Sequence, residues 1–367
     1  MIGARMERFP AKLRPPARRV KKAADEDYLS VMTGPDPSAM RAAAREVAAL
    51  IHPGTRVCLT THVNPDGDGL GSEVAMVHML RALGAQVSIT NPTATPPRFG
   101  FLLAELADAD RSQQAVKELR RADVVIVLDI ADLSRLGALA DTVRDRGVPV
   151  ACVDHHISPG TLPPGPRYVD ATAAATGELI VLLAHEVGWS ITPAAAHGLY
   201  VALVTDTGGF RFSNTRPRTL RVAADLLELG VNPEQVYLDV YANAPAGRPR
   251  LLAEVLQTLV VEDDLGLAWV TVPPGALERH GVDPDDLDGV VEHARSIRGV
   301  RLALLFREMS GHRVKVSLRS VGDVNVATLA RQFGGGGHAK ASGVAIAGTL
   351  AEVQVTVLAA ARHYLAP

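Results

Sequence analysis

Short apolar runs alternate with stretches of helical periodicity over the first two thirds of the chain. Four of these runs have the length and apolar content of buried strands, at residues 56–61, 85–90, 124–128 and 148–153. Strands that alternate with helices in this way predict an α/β domain built on a doubly wound, mostly parallel sheet.

Capping residues indicate where the predicted helices begin and end. Ser38 is a candidate N-cap for a helix over 39–51, and a glycine-rich turn is predicted ahead of a second helix over 72–83. Thr192, which is followed by proline, is the candidate N-cap of a helix that continues to about Thr205.

Two segments without periodicity divide the chain. Residues 1–36 carry eight lysines and arginines and predict a disordered basic tail, and residues 246–258 predict a linker with a connecting helix. We therefore expect a larger domain over 38–245 and a smaller α/β domain over 259–367. The smaller domain contains four further strand-like runs: 259–262, 267–272, 300–306 and 314–318.

Composition excludes several classes of protein. The 367 residues carry 38 Lys+Arg and 40 Asp+Glu, a formal net charge of −2, whereas proteins that bind long nucleic acid usually present a basic face. No apolar run approaches the ~18 residues of a membrane span. The two cysteines, Cys58 and Cys152, are too few for a disulfide framework and lie in strand-like runs. We expect a cytoplasmic protein with buried, reduced cysteines and no membrane partner.

Acidic and imidazole side chains follow the first predicted strand. His62, Asp66 and Asp68 come directly after residues 56–61, and the glycines between and beyond the aspartates would allow a tight loop. This position is the carboxyl end of a strand, where doubly wound sheets form their binding crevices. The sequence therefore predicts that the three side chains converge at this edge.

Similar side chains follow the later elements. Asp129 comes after the third predicted strand, and Asp154, His155 and His156 end the fourth. Asp206 lies at the C-terminal end of a predicted helix, where a carboxylate is unfavourable unless a cation compensates for it. All of these groups are expected on one edge of one sheet.

The chemistry of this set favours metal ions. The candidate ligands are oxygen and imidazole, which suit Mn²⁺, with Mg²⁺, Fe²⁺ or Co²⁺ as substitutes. Four aspartates and two histidines hold two ions if one carboxylate bridges them, and two metals ~3.5–4 Å apart are the usual apparatus for phosphoryl hydrolysis. His156 would remain free to contact phosphate or move a proton. The residues therefore favour a two-metal phosphohydrolase.

Four consecutive glycines mark the smaller domain and precede a histidine. The N–H groups of such a loop, ahead of a helical segment, would form an anion site. The alternative is a flexible hairpin or interdomain loop. We expect a nucleotide site here, with the active site in the interdomain cleft. The candidate contacts are Arg319, Ser320, Gly334, Gly335, Gly336, Gly337 and His338.

The order of these motifs resembles a known family. The histidine and aspartates after the first strand, Asp129, the Asp154-His155-His156 triplet and Asp206 resemble the DHH phosphoesterases, and the glycine run resembles their DHHA1 domain. In length and architecture the chain is similar to the bifunctional oligoribonuclease and pAp phosphatase branch, where pAp is 3′-phosphoadenosine-5′-phosphate.

The resemblance implies a role for each residue. It implies six ligands for two Mn²⁺ ions: His62 and Asp66 for the first, Asp68, His155 and Asp206 for the second, and Asp129 for both. Asp154 would orient the histidine pair, and His156 would contact the scissile phosphate. Arg319, His338 and the glycine run would hold the nucleotide.

The resemblance also implies the substrates. These are pAp, cleaved to AMP and phosphate, and oligoribonucleotides of about two to five nucleotides or linear dinucleotides such as pApA, with relatives that act on cyclic-di-AMP products. It further implies a homodimer. Two alternatives stay open: a manganese inorganic pyrophosphatase, which would want a dense cluster of basic residues in the second domain, and a nucleotide-binding sensor without catalysis.

Overall fold

The computed structural model describes residues 35–366, except residues 131, 146, 158, 159 and 338. Residues 1–34 of the predicted tail, and His338, therefore lie outside the described residues. The described chain divides into two compact units between Asn243 and Ala244.

The first unit is built on a parallel sheet, as the apolar runs predicted. The strand order is β2-β1-β3-β4-β5. The fifth strand was not predicted, because three residues are too few to form a recognisable apolar run. The strands are β1 (Arg56–Thr60), β2 (Gln86–Ile89), β3 (Val124–Leu128), β4 (Val150–Asp154) and β5 (Arg167–Val169).

Helices cover both faces of this sheet, because successive side chains of a strand point to opposite faces. Leu59 and Ile126 pack in one core with the longer helices, whereas Cys58, Val125 and Cys152 pack in a second core with α4 and α5. Both cysteines are buried and reduced, as predicted. The helices are α1 (Pro37–Ala48), α2 (Gly67–Ala82), α3 (Gly100–Leu103), α4 (Ala115–Leu119), α5 (Ala140–Arg144), α6 (Thr176–Val187), α7 (Pro193–Asp206), α8 (Pro217–Glu228) and α9 (Pro233–Tyr241).

The structure confirms one predicted helix cap and corrects another. Thr192 caps α7, and its hydroxyl accepts a hydrogen bond from the Ala195 N–H at 3.2 Å. The N-cap of α1 is Asp36 rather than Ser38. The Asp36 carboxylate accepts the N–H and the hydroxyl of Ser38, and Pro37 between them starts the helix.

The prediction of a glycine-rich turn before residue 72 is wrong. The glycines lie inside α2, which begins five residues earlier than predicted, and they are needed where α2 meets α7. A Cβ atom added at Gly198 of α7 would lie 2.6 Å from the Gly71 carbonyl oxygen, and one at Gly67 would lie 2.6 Å from the Thr205 hydroxyl oxygen. Close contact between two helices, not a loop, therefore explains these glycines.

The second unit contains a mixed sheet with the order β10-β11-β9-β8-β7-β6, in which only β7 and β8 run parallel among the described pairings. Apolar cores lie on both of its faces. The strands are β6 (Val260–Glu262), β7 (Leu267–Thr271), β8 (Leu302–Met309), β9 (Arg313–Ser320), β10 (Gly336–Gly337) and β11 (Ala341–Ala347). The helices are α10 (Gly247–Leu256), α11 (Ala276–His280), α12 (Val290–Arg295), α13 (Val326–Arg331) and α14 (Leu350–Leu365).

The connecting helix extends over Gly247–Leu256, within the segment 246–258 where it was expected. One prediction for this part of the chain is wrong. The glycine run does not precede a helix, because Gly336 and Gly337 pair antiparallel with Gly343 and Ser342 in a hairpin. Within the described part of the chain, no helix has the length and apolarity needed to span a membrane.

Gly71→Ala should destabilise the first unit, because the new methyl group would overlap the Gly198 carbonyl oxygen. We expect a loss of about 1–3 kcal/mol in the free energy of unfolding, measured by urea denaturation. Gly100→Ala is the matched control, since Gly100 lies in α3 with no atom within 4 Å of the added Cβ. Equal stability of the two variants would contradict this account of the helix contact.

Candidate metal centre

The structure brings together the six side chains predicted as ligands. Asp66 caps α2 and Asp68 lies in its first turn, Asp129 follows β3, and Asp206 is the last residue of α7. Three groups of side chains have ligand atoms within 4.8 Å of one another. They are His62, Asp66 and Asp129; Asp68, His155 and Asp206; and Asp129, His155 and His156.

Uniform spacing characterises the contacts between imidazole and carboxylate. Nε2 of His62 lies 3.6 Å from oxygens of Asp66 and Asp129, and Nε2 of His155 lies 3.6 Å from oxygens of Asp68, Asp129 and Asp206. This distance is too long for a hydrogen bond. It suits two ligands of one ion, since atoms each ~2.1 Å from a common cation lie roughly 3–3.6 Å apart.

The other ring nitrogen of each histidine faces a backbone carbonyl group. Nδ1 of His62 lies 2.8 Å from the Val63 oxygen, and Nδ1 of His155 lies 3.3 Å from the Ala173 oxygen. A proton on Nδ1 leaves the lone pair of Nε2 directed at the carboxylates. Metal-binding histidines usually have this arrangement.

Asp154 holds the second histidine of the pair. Its Oδ1 accepts the His156 N–H at 3.2 Å and lies 2.7 Å from Nδ1 of the ring. Asp154 is fully buried, and its Oδ2 has no hydrogen-bond partner among the described residues. The contact fixes the ring of His156 through Nδ1.

The N-terminus of α6 contacts two of the aspartates. The N–H groups of Thr176 and Gly177 donate to the two oxygens of Asp68 at 2.7 and 3.0 Å, and the Thr176 hydroxyl donates to Asp129 at 3.1 Å. The partial positive charge of a helix N-terminus favours such anions. Ala175 occupies the N-cap position of α6, and Thr176 is the first residue of the helix.

Asp129 also has an unusual backbone conformation. Its φ of 58° lies in the left-handed region, which aspartate tolerates better than most residues. Strained conformations of this kind concentrate at functional sites.

Crowding of buried carboxylates shifts the pKa of several groups in the centre. Burial and the neighbouring Asp129 raise the pKa of Asp68 well above its usual range, and burial raises the pKa of Asp206 to about 7. Burial also disfavours the imidazolium of His62, but Asp129 and Asp66 outweigh it and raise its pKa to about 10. The centre thus attracts positive charge, and cations compete with protons for it.

The donor set fits divalent cations. It consists of carboxylate oxygens and imidazole nitrogens, the ligands of Mn²⁺, Mg²⁺ and related ions rather than of structural zinc. The 3.6 Å spacings around Nε2, with Nδ1 of His62 and of His155 facing backbone carbonyls, agree with this chemistry.

The residues predicted to contact the nucleotide belong to the second unit, and most of them have contacts within it. The Arg319 guanidinium donates to Glu292 at 2.9 Å, and the buried Ser320 hydroxyl donates to the Val324 carbonyl at 2.7 Å. Gly334, Gly336 and Gly337 are exposed, and Gly335 is half-buried. Ser320 therefore has a structural partner, whereas three of the glycines face solvent.

The sequence did not reveal a buried acid near the metal centre of the first unit. Glu73 is fully buried in α2, and its Oε2 accepts a hydrogen bond from the Asn91 side chain at 2.8 Å. Asn91 in turn accepts the Thr61 N–H at 3.0 Å, which links α2 to the end of β1. Burial raises the pKa of Glu73 to about 8. A glutamate in a helix resembles a surface residue in sequence, so no local signal marked it.

Both units of the chain match domains of known proteins. Residues 56–203 match the N-terminal domain of the DHH family, and residues 267–366 match the DHHA1 domain. Over 336 residues the chain is 33% identical to the bifunctional oligoribonuclease and PAP phosphatase NrnA of Thermus thermophilus, an alignment that covers 89% of this chain and 94% of that protein. The NrnA of Bacillus subtilis is 29% identical over 294 residues, which cover 79% and 89% of the two chains.

A solved structure has the same fold. The crystal structure of an exopolyphosphatase-related protein from Bacteroides fragilis superposes with a TM-score of 0.82 at 27% identity. The match covers 88% of this chain and 96% of that chain.

Thr176→Val should weaken metal binding, because Asp129 loses a hydrogen bond while the shape of the side chain is kept. Loss of such an outer contact typically costs 10–100-fold in metal affinity or activity. We expect at least a tenfold higher dissociation constant for Mn²⁺, measured by electron paramagnetic resonance titration. Thr176→Ser keeps the hydroxyl and should bind nearly as the wild type does. Equal affinities of the valine and serine variants would contradict the role of this hydroxyl.

Glu73→Gln should change how stability depends on pH. In the folded protein Glu73 keeps its proton up to about pH 8, whereas in the unfolded chain it ionises near 4.5. The free energy of unfolding of the wild type should therefore fall relative to the variant between pH 5 and 8, by up to about 1.4 kcal/mol per pH unit. Urea denaturation at several pH values measures the difference. Glu46→Gln, at an exposed position of α1, is the control. If the stability difference between wild type and Glu73→Gln depends on pH as little as that of the control, the raised pKa of Glu73 is wrong.

Proposed function

The chain belongs to the DHH phosphoesterase family, with a DHH domain followed by a DHHA1 domain, and on that premise we propose that it hydrolyses short nucleotides. The substrates are pAp, cleaved to AMP and phosphate, and short oligoribonucleotides or linear dinucleotides such as pApA, cleaved to mononucleotides; products of cyclic-di-AMP belong to the same class. The observation that carries the proposal is the convergence of six ligand-type side chains in one centre, where Asp129 belongs to two of the three groups. The names of two relatives supply the substrate class.

Two divalent cations are the proposed cofactors, Mn²⁺ by preference and Mg²⁺ or Co²⁺ as substitutes. We assign His62 and Asp66 to one ion and Asp68, His155 and Asp206 to the other. Asp129 serves both, since its two oxygens face different histidines at 3.6 Å. When bound, such a pair of ions polarises phosphoryl oxygens and lowers the pKa of water.

The remaining residues of the centre have separate roles in the proposal. In this proposal His156, which Asp154 holds at 2.7 Å through Nδ1, contacts the scissile phosphate and transfers a proton through Nε2. Asp154 sets the orientation of the imidazole through Nδ1, as carboxylates do for catalytic histidines. Thr176 and Gly177 hold Asp68 with both oxygens directed by fixed N–H groups.

The second unit supplies the proposed nucleotide contacts. Arg319 and the exposed glycines at 336 and 337 offer guanidinium and backbone N–H donors for phosphate. Gly334 shapes the start of this loop, since its N–H donates to the Arg331 carbonyl at 3.1 Å. Gly335 and Ser320 support this hairpin rather than contact the ligand, because Gly335 packs against β11 and the Ser320 hydroxyl is engaged. We further propose a cytoplasmic homodimer; the two buried, reduced cysteines are compatible with the cytoplasmic location.

Product analysis with Mn²⁺ tests the function directly. We expect the purified protein to release AMP from pAp and from pApA in a reaction that a chelator stops, and to leave a 24-mer RNA and pyrophosphate largely intact. His156→Gln should lower kcat by roughly 10²–10⁴-fold, the usual contribution of a proton-transferring group. His52→Gln, at an exposed position, should react as the wild type does.

Three other outcomes would contradict the proposal. Hydrolysis of pyrophosphate alone would indicate an inorganic pyrophosphatase. Nucleotide binding without turnover would indicate a sensor. Turnover that persists unchanged in His156→Gln would assign the activity to a contaminant or to other residues.

A further inference from the structure

A buried ion cluster joins three elements of the first unit. Arg218, near the start of α8, is 8% exposed, and Asp170 and Glu178 are at most 1% exposed. The Arg218 guanidinium donates to Asp170 at 3.2 Å and to Oε1 of Glu178. The Thr219 hydroxyl donates to Oε2 of Glu178 at 2.8 Å. The cluster therefore connects the chain after β5 with the first turns of α6 and α8.

The two carboxylates of this cluster also hold the backbone between β5 and α6. Glu178 accepts the Ala174 N–H at 3.0 Å, and Asp170 accepts the N–H and the hydroxyl of Thr172 at 2.7 and 2.6 Å. Residues 170–178, here called the support segment, are thereby attached to the guanidinium at both ends.

The support segment supplies the groups that contact the candidate ligands. Its N–H groups at Thr176 and Gly177 donate to Asp68, and the Thr176 hydroxyl donates to Asp129. Its carbonyl at Ala173 faces Nδ1 of His155 at 3.3 Å. One short segment thus touches three of the six proposed ligands.

Stability alone does not explain such a cluster. Removing three charged groups from water carries a desolvation penalty that their mutual attraction often only offsets, so a buried ion cluster is weak evidence for stability. What a guanidinium provides is geometry, because its planar fork directs donors to two carboxylates at fixed angles. A lysine carries the same charge without that fork.

We propose that Arg218 is a positioning residue for the metal centre, which acts by fixing the support segment that holds Asp68, Asp129 and His155. This inference rests on the proposed function only in that the centre binds divalent cations. Arg218 itself touches none of the proposed ligands in the contacts described.

Arg218→Lys tests the inference against a matched variant. The lysine keeps the charge and loses the fork, so we expect a dissociation constant for Mn²⁺ about tenfold higher, measured by electron paramagnetic resonance titration, with a fall in kcat/KM for pAp of at least that size. Val222→Ala, at a fully buried position one turn further along α8, should lower the melting temperature while the Mn²⁺ dissociation constant stays within twofold of the wild type.

The outcomes separate positioning from general destabilisation. A folded Arg218→Lys variant with wild-type Mn²⁺ affinity would overturn the inference, and so would an equal loss of affinity in Val222→Ala. If the lysine variant does not fold, Thr219→Val removes one hydrogen bond to Glu178 and should raise the dissociation constant about threefold; no change there would also overturn it.

Failure of the proposed function would look different. If the wild-type protein binds Mn²⁺ but hydrolyses neither pAp nor pApA, the proposed function is wrong and the binding titrations still decide the role of Arg218. If the wild-type protein binds no Mn²⁺, both proposals are wrong.

Discussion

Negative charge confined to a small, buried volume is the constraint on which the first unit depends. Asp68 and Asp129 are almost fully buried, and with Asp66 and Asp206 they surround the same two imidazole rings. Carboxylates this close repel one another unless positive charge lies between them. Protonated histidines, a helix N-terminus and metal cations are the sources of positive charge that the fold makes available to this site.

Close approach of helix backbones lets N–H groups reach the buried carboxylates. Glycines at the contact of α2 with α7 let the start of α2, which carries Asp66 and Asp68, approach the other helices without steric overlap. Gly177 has the same role in α6, because an added Cβ would lie 2.5 Å from the Ala202 side chain. The N-terminus of α6 thereby reaches Asp68 directly. Packing in the core and electrostatics at the site are thus two consequences of the same helix contacts.

The sequence was sufficient for the parallel sheet and for the set of side chains in the centre, because apolar strands and the residues that follow them are local features. It was misleading about the glycines of α2, which look like loop residues until the partner helix is known. β11 and the cluster around Arg218 were also missed. Glu178 and Arg218 are 40 positions apart in the chain. No hydrophobic periodicity or sequence motif around either residue indicates that its charged side chain is buried. Features of this kind depend on tertiary contact, which a single sequence does not display.

In the proposed centre, Asp129 joins two metal ions. Anomalous diffraction from crystals of the protein loaded with Mn²⁺ tests it most directly. The account predicts two manganese peaks about 3.5–4 Å apart, each about 2.0–2.3 Å from an oxygen of Asp129. A single peak in this centre, or two peaks of which one lies beyond the reach of Asp129, would contradict it.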